Sequence, residues 1–303
     1  MPGVRDAGFD RIGASAYKAA SVAAQNLPEP VTSFAASMIG LGFGAGMRGR
    51  RAMIERHLRR VNPSLRGPAL RRAAQAAFDY YARYYVESFR LPGLSAEDVD
   101  AGFSYDGLVH LDDALTAGRG AILALPHLGG WEWGGRWIAE QGLPITVVVE
   151  PLEPPELFEW FVSFRRSLGM TVVPIGPDAT PAVSRALRQN EVVCLLCDRD
   201  IQGGGVEVEF FGERTTLPAG PAILGMRTGA AILPSAVYFT SARDGHHGVV
   251  RPRLAVERVG SLHEDVARVT QALAHELEAL IRAAPEQWHL FQPNWPSDPG
   301  YGH

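Results

Sequence analysis

The residues best suited to chemistry in this sequence are a histidine and a glutamate five positions apart, His127 and Glu132. An imidazole titrates near neutral pH, so it can take a proton from a hydroxyl group and pass it to a leaving group. Such a base works best when a carboxylate fixes its tautomer and stabilises the imidazolium that forms. The candidates for this carboxylate are Glu132, Asp198 and Asp200. The pattern predicts proton abstraction by His127.

A short buried strand is predicted directly before this histidine. The apolar run Ala121–Leu125 breaks at Pro126, and two glycines, Gly129 and Gly130, then precede a segment that reads as a helix. Because ligand sites of α/β proteins lie at the carboxyl ends of the strands, His127 is predicted to face a cleft. The amino terminus of the helix, near the two glycines, would offer free backbone N–H groups to the oxyanion of an attacked carbonyl.

Acidic residues follow two further predicted strands. Asp198 and Asp200 come after Val192–Leu196, and Glu150 comes after Ile145–Val149. Parallel strands end at a common edge of their sheet, so these acids are expected beside the histidine. The sequence contains no GxSxG, Walker A or HExxH motif, which would indicate a serine nucleophile, a phosphate-binding loop or a zinc site. The sequence therefore predicts direct transfer, with no covalent intermediate and no metal.

The order of the predicted elements defines the fold class. From residue 93 to residue 303 it predicts one α/β unit, a mostly parallel central sheet with helices on both faces. The expected strands are Phe103–Tyr105, Ala121–Leu125, Ile145–Val149, Thr171–Pro174, Val192–Leu196, Val206–Phe211, Ala231–Phe239 and Gly248–Pro252. The expected helices are Leu108–Ala117, Gly130–Gln141, Pro155–Leu168, Thr180–Arg188, Ala219–Thr228 and Glu264–Ala283. Residues 1–92 predict helices alone, including Asp10–Gln25, Val31–Gly46 and Pro68–Arg90.

Composition and two short motifs exclude several classes. With 303 residues and 46% hydrophobic content the chain can bury a sizeable core, and its net charge of -4 argues against a nucleic-acid partner. Cys194 and Cys197 have CxxC spacing, but no second cysteine pair completes a zinc site, so we expect two buried thiols in a reducing compartment. The GxGxxG match at Gly44–Gly49 lacks a preceding strand, which argues against dinucleotide binding.

The segment from Arg48 to Arg72 is strongly basic. Against a single acid, Glu55, it carries Arg48, Arg50, Arg51, Arg56, Arg59, Arg60, Arg66, Arg71 and Arg72. Such a helical face is typical of docking on anionic lipid headgroups, and it is equally typical of a solvated surface. The uncharged stretch before it, Pro30–Met47, is rich in small residues and predicts a buried or interfacial helix more than a membrane span. Charges in the first twenty residues argue against a signal peptide.

His127 and Glu132, with four residues between them, resemble the HX4D/E signature of the glycerolipid and lysophospholipid acyltransferase superfamily. The resemblance is to its branch of lipid A late acyltransferases and actinobacterial phosphatidylinositol mannoside acyltransferases, and it covers nearly the whole chain. It continues through Leu196–Asp200, Gly205–Gly212, Leu217–Ala222 and Pro285–Trp288. The run Asp198-Arg199-Asp200, the arginine-rich composition and the ending Trp288–Trp295 are more similar to the mannoside enzymes.

The resemblance implies transfer of a palmitoyl-type chain from acyl-CoA to the 6-hydroxyl of a mannose on phosphatidylinositol mannoside. Acyl-CoA would be the donor substrate, no separate cofactor would be needed, and the protein would lie peripherally on the anionic cytoplasmic face of the plasma membrane. His127 would be the general base. The family pairs this histidine with an acid from the strand Val192–Leu196, for which Asp200 is the first choice and Asp198 the second. Glu132 would orient the loop and the acceptor sugar.

Other residues would bind the substrates by the same resemblance. They are Glu150, Arg165, Arg199, Trp131, Gly129 and Gly130, although Arg166 adjoins Arg165, which leaves a surface arginine as the alternative there. An acyl chain needs an apolar slot, and its candidates, which are equally core residues, are Leu128, Trp131, Trp133, Trp137, Trp160 and Phe164. Three further functions stay open: an acyltransferase of lipid A or another glycolipid, an acyl-CoA thioesterase and a non-catalytic lipid-binding protein.

Overall fold

Four helices come first in the computed structural model, which describes residues 14–27, 29–241 and 245–302. They are α1 (Ala14–Asn26), α2 (Glu29–Gly46), α3 (Arg48–Val61) and α4 (Gly67–Arg90). The face that α4 buries includes Leu70, Ala74 and Phe78, which recur at helical spacing and pack against Leu58 of α3. The predicted helices agree with these bounds, and the predicted start at residues 10–13 lies outside the described part of the chain.

Strands and helices alternate after α4. The elements are α5 (Ala96–Ala101), β1 (Phe103–Asp106), α6 (Leu108–Thr116), β2 (Ala121–Leu125), α7 (Trp131–Glu140), β3 (Ile145–Val149), α8 (Pro155–Ser167), β4 (Met170–Pro174), α9 (Ala179–Arg188), β5 (Val192–Leu196), β6 (Val206–Phe210), β7 (Glu213–Leu217), α10 (Gly220–Thr228), β8 (Ala231–Phe239), β9 (His246–Val250) and α11 (Leu262–Ala283). Turns of 3-10 helix lie at Leu91–Gly93 and Pro285–Gln287.

One sheet of seven strands has the order β1-β9-β8-β2-β5-β3-β4. Its neighbours run parallel except for β8 and β9. The register pairs Leu125, the last residue of β2, with Leu196, the last residue of β5, so the chain leaves both strands at the same level. The predicted fold class, a mostly parallel sheet in an α/β protein, is confirmed.

The central strand β2 shows why this sheet needs helices on both faces. All five of its residues are buried. Ile122 and Ala124 belong to one hydrophobic cluster with side chains of α9, α10 and α11, whereas Ala121, Leu123 and Leu125 belong to a second with α6 and α7. Successive side chains of a strand point to opposite faces, so an apolar strand is covered from both sides.

The hairpin of β6 and β7 is a separate two-stranded sheet, and the sequence predicts only its first strand. Phe211 and Gly212 connect the strands with φ values of 50° and 76°, the positive pair that a type I′ turn requires. Phenylalanine rarely adopts such a φ, so no ordinary turn signal marks the position. The hairpin is fixed by α11, because the backbone N–H of Phe211 donates to Glu278.

Two short elements, α5 and β9, also differ from the prediction. The short helix α5 has no predicted counterpart, and β9 begins at His246, two residues before the predicted Gly248. It pairs antiparallel with β8, with Phe239 opposite His246. Both elements are too short to show a clear hydrophobic period, which is the main signal available in a sequence.

Two motifs largely behave as their sequence context predicts. The GxGxxG match at Gly44–Gly49 runs from the end of α2 into α3, so a helix and not a strand precedes it. Cys194 in β5 and Cys197 directly after it are free thiols; Cys197 is buried as expected, whereas Cys194 is only half-buried. Among the described residues no single helix is long and apolar enough to cross a membrane; the helices Pro30–Gly46 and Arg48–Val61 pass that test as a pair, with a bend of 96° between them.

Candidate active site

The carboxyl ends of β2, β5 and β3 lie side by side and carry the expected polar residues. His127 follows β2, Asp198 follows β5 and Glu150 follows β3, and these three strands are neighbours in the sheet. His127 and Glu150 line the same cavity. The structure therefore brings together strand ends that are far apart in the sequence, as parallel pairing predicts.

His127 forms a close pair with Asp198. The imidazole Nδ1 lies 2.6 Å from Asp198 Oδ1, and the backbone N–H of His127 donates to Oδ2 at 3.0 Å. Burial opposes ionisation of this carboxyl, but the charge of His127 and the hydrogen bonds from His127 and Trp288 outweigh it and hold the pKa of Asp198 below its ordinary value. With Nδ1 held by the carboxylate, Nε2 is the nitrogen left to meet a substrate.

The expected pairing of His127 with Asp200 is wrong. Asp200 accepts hydrogen bonds from the backbone N–H groups of Gly203 and Gly205, at 3.0 and 2.8 Å, and from the hydroxyl of Thr216 at 3.1 Å. The register explains this difference, because position 198 lies two residues beyond β5, just as position 127 lies two beyond β2. Asp200 holds the glycine turn that leads to β6, and it still lines the cavity.

Glu132 belongs to a second ion pair. Its side chain is 2% exposed and contacts Arg165 of α8, with Arg165 Nε at 3.0 Å and Nη2 at 2.5 Å from Oε1. Tyr84 of α4 donates its hydroxyl proton to the same oxygen at 3.1 Å. Arg166 is exposed, so the adjacent arginine does not compete for this place, and Arg165 is not a surface helix residue. Glu132 therefore joins α7 to two other helices and does not contact His127.

The helix end near Gly129 and Gly130 was expected to offer free N–H groups, but the amides of these two glycines are themselves bonded. The N–H of Gly129 donates to the carbonyl of Gln287 at 3.0 Å, and that of Gly130 donates to the carbonyl of Val237 at 2.9 Å. Gly129 has a φ of 63°, and a Cβ there would collide with the carbonyl oxygen of Val237. The glycines let the loop pack against β8. The backbone N–H groups of Trp131 and Glu132, in the first turn of α7, are the helix-end donors that remain for an oxyanion.

Aromatic side chains surround the two ion pairs. The ring of Trp131 meets that of His127 edge to face at 5.9 Å and lies 4.3 Å from the ring of Tyr84. His289 lies 5.7 Å from Trp131, and its Nε2 is 3.2 Å from the carbonyl oxygen of Gly129. Burial lowers the pKa of His289 to about 3, so it is neutral at physiological pH. Neither Tyr84 nor His289 was predicted as a site residue. The available signal for Tyr84 was the concentration of aromatic residues in α4, which are Phe78, Tyr80, Tyr81, Tyr84, Tyr85 and Phe89.

A cavity of about 990 Å³ opens beside the imidazole. Polar residues that include Glu150, Arg199 and Asp200 border it, together with apolar residues of the sheet and α7 such as Leu123 and Trp137. Of the candidates for an acyl slot, Trp131 and Trp137 line this cavity, whereas the others pack into the hydrophobic clusters: Leu128, Trp133, Trp160 and Phe164. In the described ranges no group of three or more potential metal ligands could hold an ion.

The chain matches the model of the bacterial lipid A biosynthesis acyltransferase family over residues 9–297, and it therefore belongs to this family. The class of protein that the histidine, the acids and the α/β sheet define is thus a bacterial glycolipid acyltransferase. Among its relatives is the phosphatidylinositol mannoside acyltransferase of Mycobacterium tuberculosis (strain ATCC 25618 / H37Rv), which is 42% identical over 230 residues, 74% of this chain and 70% of the relative.

Two further relatives are less identical to the chain. The phosphatidylinositol mannoside acyltransferase of Mycolicibacterium smegmatis is 39% identical over 264 residues, 84% of each chain. The lipid A biosynthesis acyltransferase of Haemophilus influenzae is 27% identical over 187 residues, 60% of this chain and 55% of the relative. The resemblance to the mannoside branch of the family, inferred from the motifs, is confirmed.

Proposed function

We propose that this acyltransferase moves a long-chain, palmitoyl-type acyl group from acyl-CoA to the 6-hydroxyl of a mannose of phosphatidylinositol mannoside. The observation that carries the proposal is the His127–Asp198 pair at the border of a partly apolar cavity of about 990 Å³. The pair supplies a base, and the cavity supplies room for an acyl chain. The names of the mycobacterial relatives support the acceptor class, a phosphatidylinositol mannoside, whereas acyl-CoA as the donor and the 6-hydroxyl as the acceptor atom are what the motif resemblance implies.

The reaction is a single displacement. His127 Nε2 takes the proton of the mannose hydroxyl, whose oxygen attacks the thioester carbonyl of acyl-CoA. The tetrahedral intermediate collapses as the carbon–sulfur bond breaks, and the imidazolium returns the proton to the departing CoA sulfur. Asp198 keeps the ring in the required tautomer and balances its charge while it is protonated. No cofactor beyond the donor substrate is needed.

The cysteines support a mechanism without an acyl-enzyme. Burial raises the pKa of Cys194 to about 12, and it also raises the pKa of Cys197 above its ordinary value. A thiol attacks a thioester as the thiolate, so these two stay unreactive at physiological pH. Direct attack by the acceptor hydroxyl is the simpler route.

Polar residues at the cavity border suit the acceptor. Glu150 and Arg199 line it close to the strand ends, and a carboxylate and a guanidinium there can bind sugar hydroxyls and the phosphate of a glycolipid. Trp131 lies against the imidazole and would contact the substrates next to it. Glu132 and Arg165 neutralise each other, so their role is to fix the first turn of α7 relative to α4 and α8.

We further propose that the protein lies peripherally on the anionic cytoplasmic face of the plasma membrane, docked through α2 and the exposed arginines near it. One face of α2 presents Val31, Phe34, Met38 and Leu41, which are 47%, 68%, 52% and 52% exposed. Their spacing of three and four residues forms an apolar stripe of the kind that enters the lipid interface.

Eight of the nine arginines from Arg48 to Arg72 fall into two sets, and the ninth, Arg50, is half-buried and lines the cavity. Arg51 donates to the carbonyl of Gly44 and to Gln75, and Arg56 and Arg60 contact Asp298, so these three stabilise the fold. The exposed members, which remain available to lipid phosphates, are Arg48, Arg59, Arg66, Arg71 and Arg72. Only the exposed arginines can therefore form the docking face that we propose.

Vesicle co-sedimentation tests the docking proposal. Binding to anionic vesicles should weaken as salt rises, and the double change Arg71→Gln with Arg72→Gln should weaken it by about 1 kcal/mol for each charge. Arg188→Gln, at an exposed position of α9, is the control and should bind as the wild type does. Equal binding to neutral vesicles would contradict the electrostatic part and assign the interaction to the apolar stripe of α2.

The acceptor is tested by incubating the purified protein with labelled palmitoyl-CoA and either phosphatidylinositol mannosides or lipid A precursors. Labelled mannoside ester, absent with His127→Ala, is the expected result. The match to the lipid A family model and the Haemophilus influenzae relative favour lipid A or another glycolipid as the second candidate acceptor. Fatty acid released at full rate without any acceptor would indicate a thioesterase, and binding without turnover would indicate a lipid-binding protein.

A further inference from the structure

A short carboxyl-terminal segment, Gln287–His289, packs along the loop that carries the base. The N–H of His289 donates to the carbonyl of His127 at 2.7 Å, and the carbonyl of Gln287 accepts the N–H of Gly129 at 3.0 Å. Between these two bonds Leu128 and Trp288 form an antiparallel bridge. The loop thus has a backbone partner on either side of residue 128, which fixes its position against the strand ends.

The indole of Trp288 completes this arrangement by contacting the carboxylate itself. Its Nε1–H donates to Asp198 Oδ2 at 2.7 Å, and the same oxygen accepts the backbone N–H of His127. The other oxygen, Oδ1, faces the imidazole at 2.6 Å. Trp288 is 4% exposed and Asp198 is fully buried, so this hydrogen bond is shielded from solvent. Rotation of the carboxylate would break at least two of its three hydrogen bonds.

We propose that Trp288 is a positioning residue for acyl transfer, because its indole N–H fixes the orientation in which Asp198 holds His127. The indole acts through the carboxylate and does not touch the substrate. The inference rests on the proposed function in one respect, the role of His127 as the base. Neither the HX4D/E spacing nor the two acidic residues after β5 indicates this role of Trp288.

Removal of this N–H changes the carboxylate in two ways. A buried carboxylate with fewer donors binds a proton more tightly, so the His127–Asp198 pair as a unit should hold its proton to higher pH. The carboxylate also gains freedom to rotate, which lowers the fraction of molecules with a correctly oriented base. Both effects lower kcat, whereas KM should change little because no substrate contact is lost.

The chain offers a matched control for the experiment. Trp295 is also fully buried, lies 6.3 Å from Trp288 between ring centroids, and donates its indole N–H to the carbonyl of Phe210 at 3.0 Å. Trp288→Phe and Trp295→Phe therefore remove the same atoms from the same aromatic cluster, but only the first removes a donor to Asp198. A protein with benzothienylalanine at position 288 keeps the bicyclic ring and lacks the N–H, which preserves the test if Trp288→Phe does not fold.

The full-length variants are compared by the pH dependence of acyl-CoA turnover. Trp288→Phe should lower kcat by about tenfold to a hundredfold, a part of what a general base contributes, and should move the acid limb of kcat/KM upward by about half a pH unit. Trp295→Phe should lose stability and keep the wild-type pH profile. An unshifted acid limb in Trp288→Phe and in the benzothienyl protein would overturn the proposal and leave Trp288 as a packing residue.

A second readout separates this inference from the proposed function. In the wild type the imidazole proton shared with Asp198 should give a far-downfield proton NMR signal that disappears in His127→Ala. The signal should shift or broaden in the Trp288 variants and stay unchanged in Trp295→Phe. If the wild type shows no turnover with any acceptor, the proposed function alone is rejected. If the NMR signal is unchanged in the Trp288 variants, the positioning role alone is rejected.

Discussion

Two ion pairs begin from the same stretch of chain, and they differ in what they can do. His127–Asp198 joins an imidazole that is 22% exposed to a fully buried carboxylate, and an imidazole can both take up and release a proton. Glu132–Arg165 joins a carboxylate that is 2% exposed to a guanidinium that keeps its charge throughout. The first pair can transfer a proton, whereas the second can only hold charge and geometry. Of the two residues in the HX4E spacing, His127 is thus suited to proton transfer and Glu132 to structural support.

The largest effect is expected for His127→Ala, which removes the imidazole of the first pair. The variant should fold, because the ring is partly exposed, and its transferase rate should fall by about 10⁴-fold, the upper end of what a general base contributes. Circular dichroism and a thermal melt establish folding, and His275→Ala on the exposed side of α11 serves as the control. Substantial transfer by folded His127→Ala would remove the distinction between the pairs.

The next effect concerns the choice between the two acids after β5. Asp198→Asn should lower kcat by about 10³-fold, because an amide that replaces the carboxylate favours the wrong tautomer of His127. Asp200→Asn should stay within about tenfold of the wild type, since it affects a turn and not the base. Steady-state kinetics on both variants decide the matter. A larger loss in Asp200→Asn than in Asp198→Asn would contradict the pairing seen in the structure.

A smaller effect, on stability, is expected from the second pair. Glu132→Gln leaves Arg165 charged and largely buried without its counter-charge, which should cost about 3 kcal/mol of unfolding free energy. Tyr84→Phe removes a single donor to the same carboxylate and should cost about 1 kcal/mol. Urea titrations measure both values. If the acid limb of kcat/KM shifts in Glu132→Gln, the second pair takes part in proton transfer and the division between the pairs fails.

At neutral pH the smallest effect is expected at His289, whose contribution to stability depends on pH and changes only under acidic conditions. Its pKa of about 3 in the folded protein lies below the ordinary value of 6.5, so unfolding takes up a proton between these limits. Stability should therefore fall as the pH decreases from about 6.5 towards 3, by about 1.4 kcal/mol per pH unit for this one group. His289→Gln, which keeps a donor for Gly129, should flatten this part of the stability profile. Parallel profiles of the two proteins would show that His289 is not held neutral.

The strand ends could be predicted from the pattern of neighbouring residues. The apolar run of β2, the break at Pro126 and the glycines after it placed His127 at the edge of the sheet, and Glu150 followed by the same reasoning. Such features depend on neighbouring residues and on the general behaviour of parallel sheets. The structure agrees with the sequence analysis wherever one strand and its flanking residues determine the outcome.

Contacts between segments that are far apart in the sequence could not be predicted and were found only in the structure. The choice of Asp198 over Asp200 depends on the register of β2 against β5, and the contact of Trp288 with Asp198 depends on how a later segment folds back. The amides of Gly129 and Gly130 are likewise used by residues more than a hundred positions away. The second strand of the hairpin was missed for a local reason, since Phe211 occupies a turn position that seldom holds phenylalanine.

The return of the segment around Trp288 to the strand ends has a consequence for synthesis on the ribosome. Asp198 and Trp288 are 90 positions apart, and the amide of Asn294 donates to the carbonyl of Asp198 from 96 positions away. The nascent chain can therefore form the central strands early, but its reaction centre stays incomplete until Asn294 has left the exit tunnel. A chain that has not yet been extended to Trp288 therefore lacks one of the donors that hold the carboxylate of Asp198.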